Sequence, residues 1–276
     1  MFTLNCRGKI LVIEKPIVMG IINVTPDSFF SGSRAQNHDA VLRHAEKMIS
    51  EGADIIDIGG QSTRPGSKRI NADEELIRVL PAIEIILQRF PGTIISADTY
   101  YPSVAAAAVA AGACIVNDIS AGNRDAAMLS TVASLKVPYI CMHIKGTPEV
   151  MQQEPFYEDV ITEVLDFFIE KTTQCKAAGI NDVIVDPGFG FGKTITHNFQ
   201  LLKNLSIFKI LGKPITVGLS RKSTIYKTLG VPVEDALNGS TVLHTIALQN
   251  GANILRVHDV KEAKEAIILF EKYNLA

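Results

Sequence analysis

Residues 183–193 read Val183-Ile184-Val185-Asp186-Pro187-Gly188-Phe189-Gly190-Phe191-Gly192-Lys193. The β-branched run Val183–Val185 has the character of a strand buried on both faces, as in parallel sheets covered by helices. It ends in a carboxylate, Asp186, and a glycine-rich loop follows at once. A desolvated carboxylate costs several kcal/mol unless it meets a cation or hydrogen-bond donors. Taken alone, Asp186 is as readily a structural group bonded to nearby amides as a functional one. The alternating Gly188, Gly190 and Gly192 miss the G-x-G-x-x-G spacing of a dinucleotide site. Gly192-Lys193-Thr194 approaches a P-loop, but Pro187 stands where that pattern needs glycine and has no N–H for a phosphate. Nucleotide binding is therefore rejected.

The same strand-then-polar-end arrangement recurs along the chain. Strand-like runs fall at Ile17–Asn23, Asp54–Ile58, Thr93–Ala97, Ile115–Asn117, Pro138–Met142, Val183–Val185, Ile215–Gly218 and Asn253–Val257. Helical patterns lie between and after them, at Asp39–Ser50, Ala72–Gln88, Ser103–Ala111, Asp125–Ser134, Glu158–Ala178, His197–Leu211, Ser223–Leu229, Glu234–Gln249 and Val260–Tyr273. Gly52, Gly112, Gly179, Gly212, Gly230 and Gly251 close several of these, as helix C-terminal glycines do. Eight strands alternating with helices over about 250 residues predict an α/β fold, a (β/α)8 barrel. A doubly wound open sheet is the alternative, and the count of eight speaks against it. Residues 2–14 alternate weakly around Arg7-Gly8 and predict a short hairpin. The expected organisation is an N-terminal hairpin over 1–15 leading into one barrel over 16–276.

Composition narrows the function classes. The 276 residues are 47% hydrophobic and 20% charged, ordinary for a soluble protein with a large core. With 27 basic and 29 acidic residues the net charge is −2, so no basic footprint points to nucleic acid. Cys6, Cys114, Cys141 and Cys175 are scattered with no C-x-x-C pair, as suits a reducing compartment. Residues 1–15 lack the apolar core of a signal peptide, and no apolar run approaches a membrane span. A soluble, cytoplasmic protein is expected, with neither membrane nor nucleic-acid partners.

A parallel barrel carries its active site where the strands finish. Those positions hold Asn23, Ser62-Thr63-Arg64, Asp98, Asn117, His143, Asp186, Ser220-Arg221-Lys222, and Arg256 with His258. Single members have structural explanations: Asn117 capping a turn, His143 as a core imidazole, Arg256 paired with Asp259. Recurrence at every strand end argues for a functional ring. Asp98, Asn117 and Asp186 form the set that grips a flat heterocycle with an amidine-like edge. Lys222, Arg64, Arg256 and His258 supply charge for phosphate or diphosphate. Ser223 opens a short helix whose N–H groups favour a second anion, such as a carboxylate. Asn23 is a hard oxygen donor suited to Mg²⁺ on a diphosphate. The loops 24–33 and 59–67, rich in Gly, Pro and Ser, read as lids or as plain surface loops.

Six stretches are similar to one family: Asn23-Val24-Thr25-Pro26-Asp27-Ser28-Phe29, Ser62-Thr63-Arg64-Pro65-Gly66, Val116-Asn117-Asp118-Ile119-Ser120, Asp186–Lys193, Ser220-Arg221-Lys222 and Arg256-Val257-His258-Asp259-Val260. In order, from about residue 17 onward, they closely resemble the dihydropteroate synthases. The resemblance implies a TIM barrel that joins 6-hydroxymethyl-7,8-dihydropterin diphosphate to 4-aminobenzoate and releases pyrophosphate, in folate biosynthesis. It implies Mg²⁺ and a homodimer packed through C-terminal helices. By position, Asp98, Asn117, Asp186 and Lys222 would hold the pterin, with Met142 on its ring. Asn23, Arg256 and His258 would hold the diphosphate and its metal. Thr63, Arg64, Pro65, Phe191 and Ser223, with the Phe29 loop, would shape the aminobenzoate pocket, which sulfonamides mimic a substrate to enter. Asp98, Lys222, Arg256 and His258 would carry the chemistry, a dissociative C–O cleavage with no covalent enzyme intermediate.

The chain departs from the family's pattern twice. Phe30-Ser31-Gly32-Ser33 stands where members often read Ser-Asp-Gly-Gly, and Gln61 replaces the usual Glu. Both changes lie in or beside the two loops and leave the pterin residues intact. A pterin-dependent methyltransferase on a related barrel, and a pterin-binding scaffold without turnover, are the competing readings. The first would not need the Ser-Thr-Arg-Pro-Gly loop or the Arg256/His258 clamp.

Overall fold

The computed structural model describes residues 1–25, 34–62, 69–147, 151 and 155–276, the side chains of 34–37 apart. The chain begins with an antiparallel hairpin, β1 (Phe2–Cys6) and β2 (Lys9–Ile13), joined by Arg7-Gly8. Both turn residues have positive φ, 54° and 88°, the geometry that matches the twist of two-residue hairpins. Eight parallel strands follow: β3 (Ile17–Asn23), β4 (Ile55–Gly59), β5 (Ile95–Asp98), β6 (Ile115–Asp118), β7 (Tyr139–Met142), β8 (Val183–Asp186), β9 (Thr216–Val217) and β10 (Ile254–Val257). Their order in the sheet is β8-β7-β6-β5-β4-β3-β10-β9, and a parallel bridge from Val185 to Ile215 completes the circuit. The expected barrel and hairpin are both present.

Nine α-helices are described: α1 (Arg34–Ser50), α2 (Ala72–Arg89), α3 (Pro102–Ala110), α4 (Ala127–Leu135), α5 (Val160–Ala178), α6 (Ile195–Lys203), α7 (Ser223–Leu229), α8 (Leu237–Gln249) and α9 (Val260–Asn274). Helix α1 begins five residues ahead of the expected Asp39, and two others are interrupted. The single helix expected over His197–Leu211 stops at Lys203, and a 3-10 segment covers Leu205–Leu211. Asn204 breaks it by donating its side-chain amide to the Gln200 carbonyl, in competition with the helix. The pattern over Glu234–Gln249 likewise opens with a 3-10 turn, Val233–Ala236, after Pro232.

Side chains along each strand alternate between two interiors, because successive Cβ atoms point to opposite faces. Val18, Ile22, Ile56, Ile58, Ile95, Ala97, Val183 and Val185 face outward and pack with the helices in the main core. Ile17, Met19, Ile55, Ile115, Ile140, Ile184 and Ile254 face inward at the strands' N-terminal ends, where Leu4, Cys6 and Ile13 of the hairpin cover them. The inward positions nearer the C-terminal ends change character to Asn23, Asp57, Asp98, Asn117, Asp186 and Arg256. All four cysteines are buried and unbridged.

Candidate active site

Three backbone features build the mouth. The turn after β8 needs its alternating glycines: Gly188, Gly190 and Gly192 all have φ between 62° and 81°. A Cβ on Gly188 would lie 1.9 Å from the His143 carbonyl oxygen, and one on Gly192 2.2 Å from that of Lys145. Only glycine lets this turn press against the end of β7. Lys222 is the N-cap residue of α7 and Ser223 its first residue. In the register of β4, β5 and β6, Gly59 pairs with Asp98 and Asp98 with Asn117. The missing side chain at Gly59 therefore opens the barrel beside the acid.

Inside the mouth, one charged network joins three of the predicted residues through a residue the motif reading passed over. Asp57, wholly buried, takes two contacts from Arg256 on the same oxygen: Nε at 2.7 Å and Nη2 at 2.6 Å. That oxygen also accepts from the Asn117 amide at 3.0 Å. Arg256 Nη2 donates to Asp98 at 2.7 Å. The signal for Asp57 lay in the alternation of Ile55-Ile56-Asp57-Ile58, which puts an acid on the inward face. Its other oxygen, Oδ1, has no partner among the described residues, nor has the hydroxyl of Ser96, its register neighbour on β5.

Burial raises the Asp98 carboxyl to about 7, with Asp57, Asp118 and Asp186 adding to the shift and Arg256 opposing it. Burial also raises Asp186, against the pull of Lys222 and the Gly188 N–H, which donates at 2.8 Å. Lys222 is lowered to about 8 by burial, with Asp186 opposing. Its ammonium donates to the Phe189 carbonyl and lies 4.6 Å from the centre of the Phe191 ring. Met142, Phe191, Tyr100, Ile119 and Met151 form a small apolar cluster at the same mouth. An apolar wall beside acids, an amide and two cations suits a flat polar ring carrying an anionic substituent.

Other predicted positions fall as follows. Asn23 ends β3 in register with Gly59, at the rim of the same opening. His258 is exposed on that rim, its Nδ1 3.1 Å from the Ser220 hydroxyl. His143 is not in the ring. It follows inward-facing Met142, so its side chain turns outward against Phe167 of α5, at 4.8 Å between ring centres. Arg221 also points away and forms a two-bond pair with Asp259 at 2.8 and 2.9 Å. It takes the partner that a structural account had reserved for Arg256. Asp118 faces the helical layer and accepts from Tyr139, Ser120 and Gly122. Gln61 is buried: its Oε1 accepts from the Ile70 N–H at 2.9 Å and its Nε2 donates to the Ser62 carbonyl at 3.0 Å. Thr63, Arg64, Pro65, Phe29 and the Phe30–Ser33 departure lie outside the described residues.

Residues 19–258 match the model of the pterin binding enzyme family. The dihydropteroate synthase of Escherichia coli K12 is 44% identical over 270 residues, covering 97% of this chain and 95% of its own. Among solved structures, that of Yersinia pestis dihydropteroate synthase in a sulfonamide drug complex superposes with a TM-score of 0.93 at 43% identity, covering all of both chains. Xanthomonas albilineans dihydropteroate synthase with 4-aminobenzoic acid gives 0.93 at 41% identity, covering 99% of this chain and 98% of that one. The same protein in complex with 7,8-dihydropteroate gives 0.89 at 39%, with both chains fully covered.

Proposed function

The chain belongs to the dihydropteroate synthase family of pterin-binding transferases, and we propose that it condenses 6-hydroxymethyl-7,8-dihydropterin diphosphate with 4-aminobenzoate, giving 7,8-dihydropteroate and pyrophosphate in folate biosynthesis. The observation that carries this reading is the Asn117–Asp57–Arg256–Asp98 network set beside Asp186 and Lys222 in one mouth. Asp186 and Asn117 supply the acceptors and amide for the pterin's N–H edge, and Met142 the surface for its ring. Lys222 lends positive charge to the same end. Arg256 is held by Asp57 and Asp98 through Nε and Nη2, which leaves Nη1 for an anionic oxygen. His258 adds a second donor on the rim.

In this scheme the bond between the pterin methylene carbon and the diphosphate oxygen breaks, and the oxygen keeps the electron pair. Arg256 and His258 stabilise the departing diphosphate, and the Asp98 carboxylate stabilises the methylene cation until the aniline nitrogen bonds to it and gives up one of its protons to the released diphosphate or to water. Phe191 and Ser223 border the aminobenzoate. Asn23 would hold Mg²⁺ through its side-chain oxygen at the rim, a hard donor of the kind this ion takes. When bound, the metal would neutralise charge on the leaving group.

We also propose that two copies pair through α8 and α9, whose outer face exposes Val242, Ile268, Leu269 and Tyr273. Among the described residues no helix is long and apolar enough to cross a membrane; a cytoplasmic setting remains part of the proposal.

The test is turnover of the pure protein with both substrates and Mg²⁺. Pyrophosphate release that depends on 4-aminobenzoate supports the reading. Pterin binding without release would make the protein a scaffold.

A further inference from the structure

Lys193 closes the glycine-rich stretch, yet its ammonium does not reach the mouth. It is 2% exposed and sits in a cage on the far side of the turn. Its Nζ lies 2.9 Å from His143 Nδ1 and donates to the carbonyls of Gly188 and Phe191, both at 3.0 Å, and of His143 at 3.4 Å. None of these partners is a carboxylate. Burying an ammonium costs several kcal/mol unless its protons are all matched. Here the match comes from backbone carbonyls at both ends of one turn and from a neutral imidazole. Burial lowers both Lys193 and His143 well below their usual ranges, with the Asp186 carboxylate opposing the shift at Lys193.

The cage has a shape consequence. Gly188 and Phe191 can aim their carbonyls inward at Nζ only because the turn is left-handed at three glycines. Asn198 fixes the Gly190 N–H at 2.8 Å, and the Tyr157 hydroxyl fixes the Gly192 carbonyl at 2.9 Å. On the opposite side the same turn presents the Phe191 ring and the Phe189 carbonyl, the two groups that meet the Lys222 ammonium.

We propose that Lys193 is a positioning residue for the second substrate: by gathering the turn's carbonyls around one internal charge, it sets the Phe191 wall at its working distance. Asp186 and Asn117 belong to β8 and β6, so the strands hold most of the pterin grip, and the turn touches it only through the Gly188 N–H on Asp186 and the Phe189 carbonyl on Lys222. This inference rests on the synthase reading for the purpose of Phe191. The two fail separately, because the reading is decided in the unaltered enzyme and the cage only in its variants.

The experiment compares Lys193→Ala and Lys193→Met with the unaltered enzyme, reading KM for each substrate. Misplacing a wall by about 1 Å costs up to about 100-fold in rate. The expected result is a KM for 4-aminobenzoate raised about tenfold or more, with the KM for the pterin diphosphate changed less than about threefold. Propylammonium, which replaces the deleted stem and charge, should restore Lys193→Ala in a saturable way, while 1-propanol should not. Both KM values within about twofold of the unaltered enzyme would overturn the proposal. Equal rescue by propanol would too, since charge would then be irrelevant. Should Lys193→Ala fail to fold, Lys193→Met, which keeps the stem and drops the charge, decides the KM comparison. Failure of both to fold would assign Lys193 to stability alone and overturn the proposal as well.

Discussion

Asp57 and Arg256, 199 residues apart in sequence, meet at 2.6–2.7 Å inside the barrel, and the same Asp57 oxygen accepts directly from the Asn117 amide. A hydrogen bond to a charged group contributes about 1.5–3 kcal/mol, and removing one partner leaves the other buried and uncompensated. Because Asp98 still holds one end of Arg256, Asp57→Ala is expected to lower the unfolding free energy by about 2–3 kcal/mol. Asp57→Asn, which keeps the volume, should lower kcat/KM for the pterin diphosphate about 10- to 100-fold. Denaturant unfolding and steady-state kinetics check the two values. An Asp57→Asn enzyme with unaltered kinetics would show that Arg256 needs no anchor.

The acid–base limits of the reaction follow from two groups. Burial holds Asp98 at about 7 and Lys222 at about 8, and the proposed reaction uses the first as a carboxylate and the second as an ammonium. The free enzyme's kcat/KM should therefore rise to about pH 7 and decline beyond about pH 8. Replacing Lys222 by Arg, which stays charged, should move the alkaline limb upward. A profile flat from about pH 6 to about pH 9 would contradict both assignments.

Glu75 of α2 is wholly buried near the same acids, and burial pushes its carboxyl up to about 8, with Asp98 adding to the shift and Arg78 opposing it. In the unfolded chain it titrates near about 4.3. The folded state holds the proton more tightly, so the stability it confers is complete below about pH 4.3 and is lost as pH rises through about 8. Asp98 slopes the same way. Glu75→Gln should flatten the curve of unfolding free energy between about pH 5 and about pH 8. Parallel curves for the two proteins would rule out a buried neutral Glu75.

Two left-handed glycines give a matched pair. Gly179, at φ 93°, has nothing within 4 Å of an added Cβ, whereas Gly188, at φ 67°, would collide with the His143 carbonyl. Gly179→Ala should cost only the left-handed strain, about 1–2 kcal/mol. Gly188→Ala should cost that and a displaced turn, lowering Tm by several degrees more, since 1 kcal/mol shifts Tm by about 2–4 °C at this size. Equal shifts would show that the turn yields freely.

What was legible beforehand follows from periodicity. The apolar runs from Ile17 to Val257 placed all eight barrel strands, and Arg7-Gly8 marked the hairpin turn, because both depend on local alternation and turn chemistry. Asp98, Asn117, Asp186 and Arg256 were legible as the last inward residues of their strands. Asp57 was not, because it lies inside a run of isoleucines and its partners are 60 and 199 residues away in sequence. His143 stood at a strand end but one position out of phase, and a single residue reverses the face; Arg221 lies in the turn four residues beyond β9, with φ at 52°, where strand alternation no longer sets direction. Lys193 showed only as a failed phosphate motif; apart from the His143 imidazole its cage is made of carbonyls, which leave no trace in side-chain identity.

The hairpin's Leu4, Cys6 and Ile13 stop the barrel's lower end, so the molecule is a cup and not a tube. A cup has one doorway, so anything that reaches the depth of Asp57 and Asn117 comes and goes by the strands' C-terminal ends.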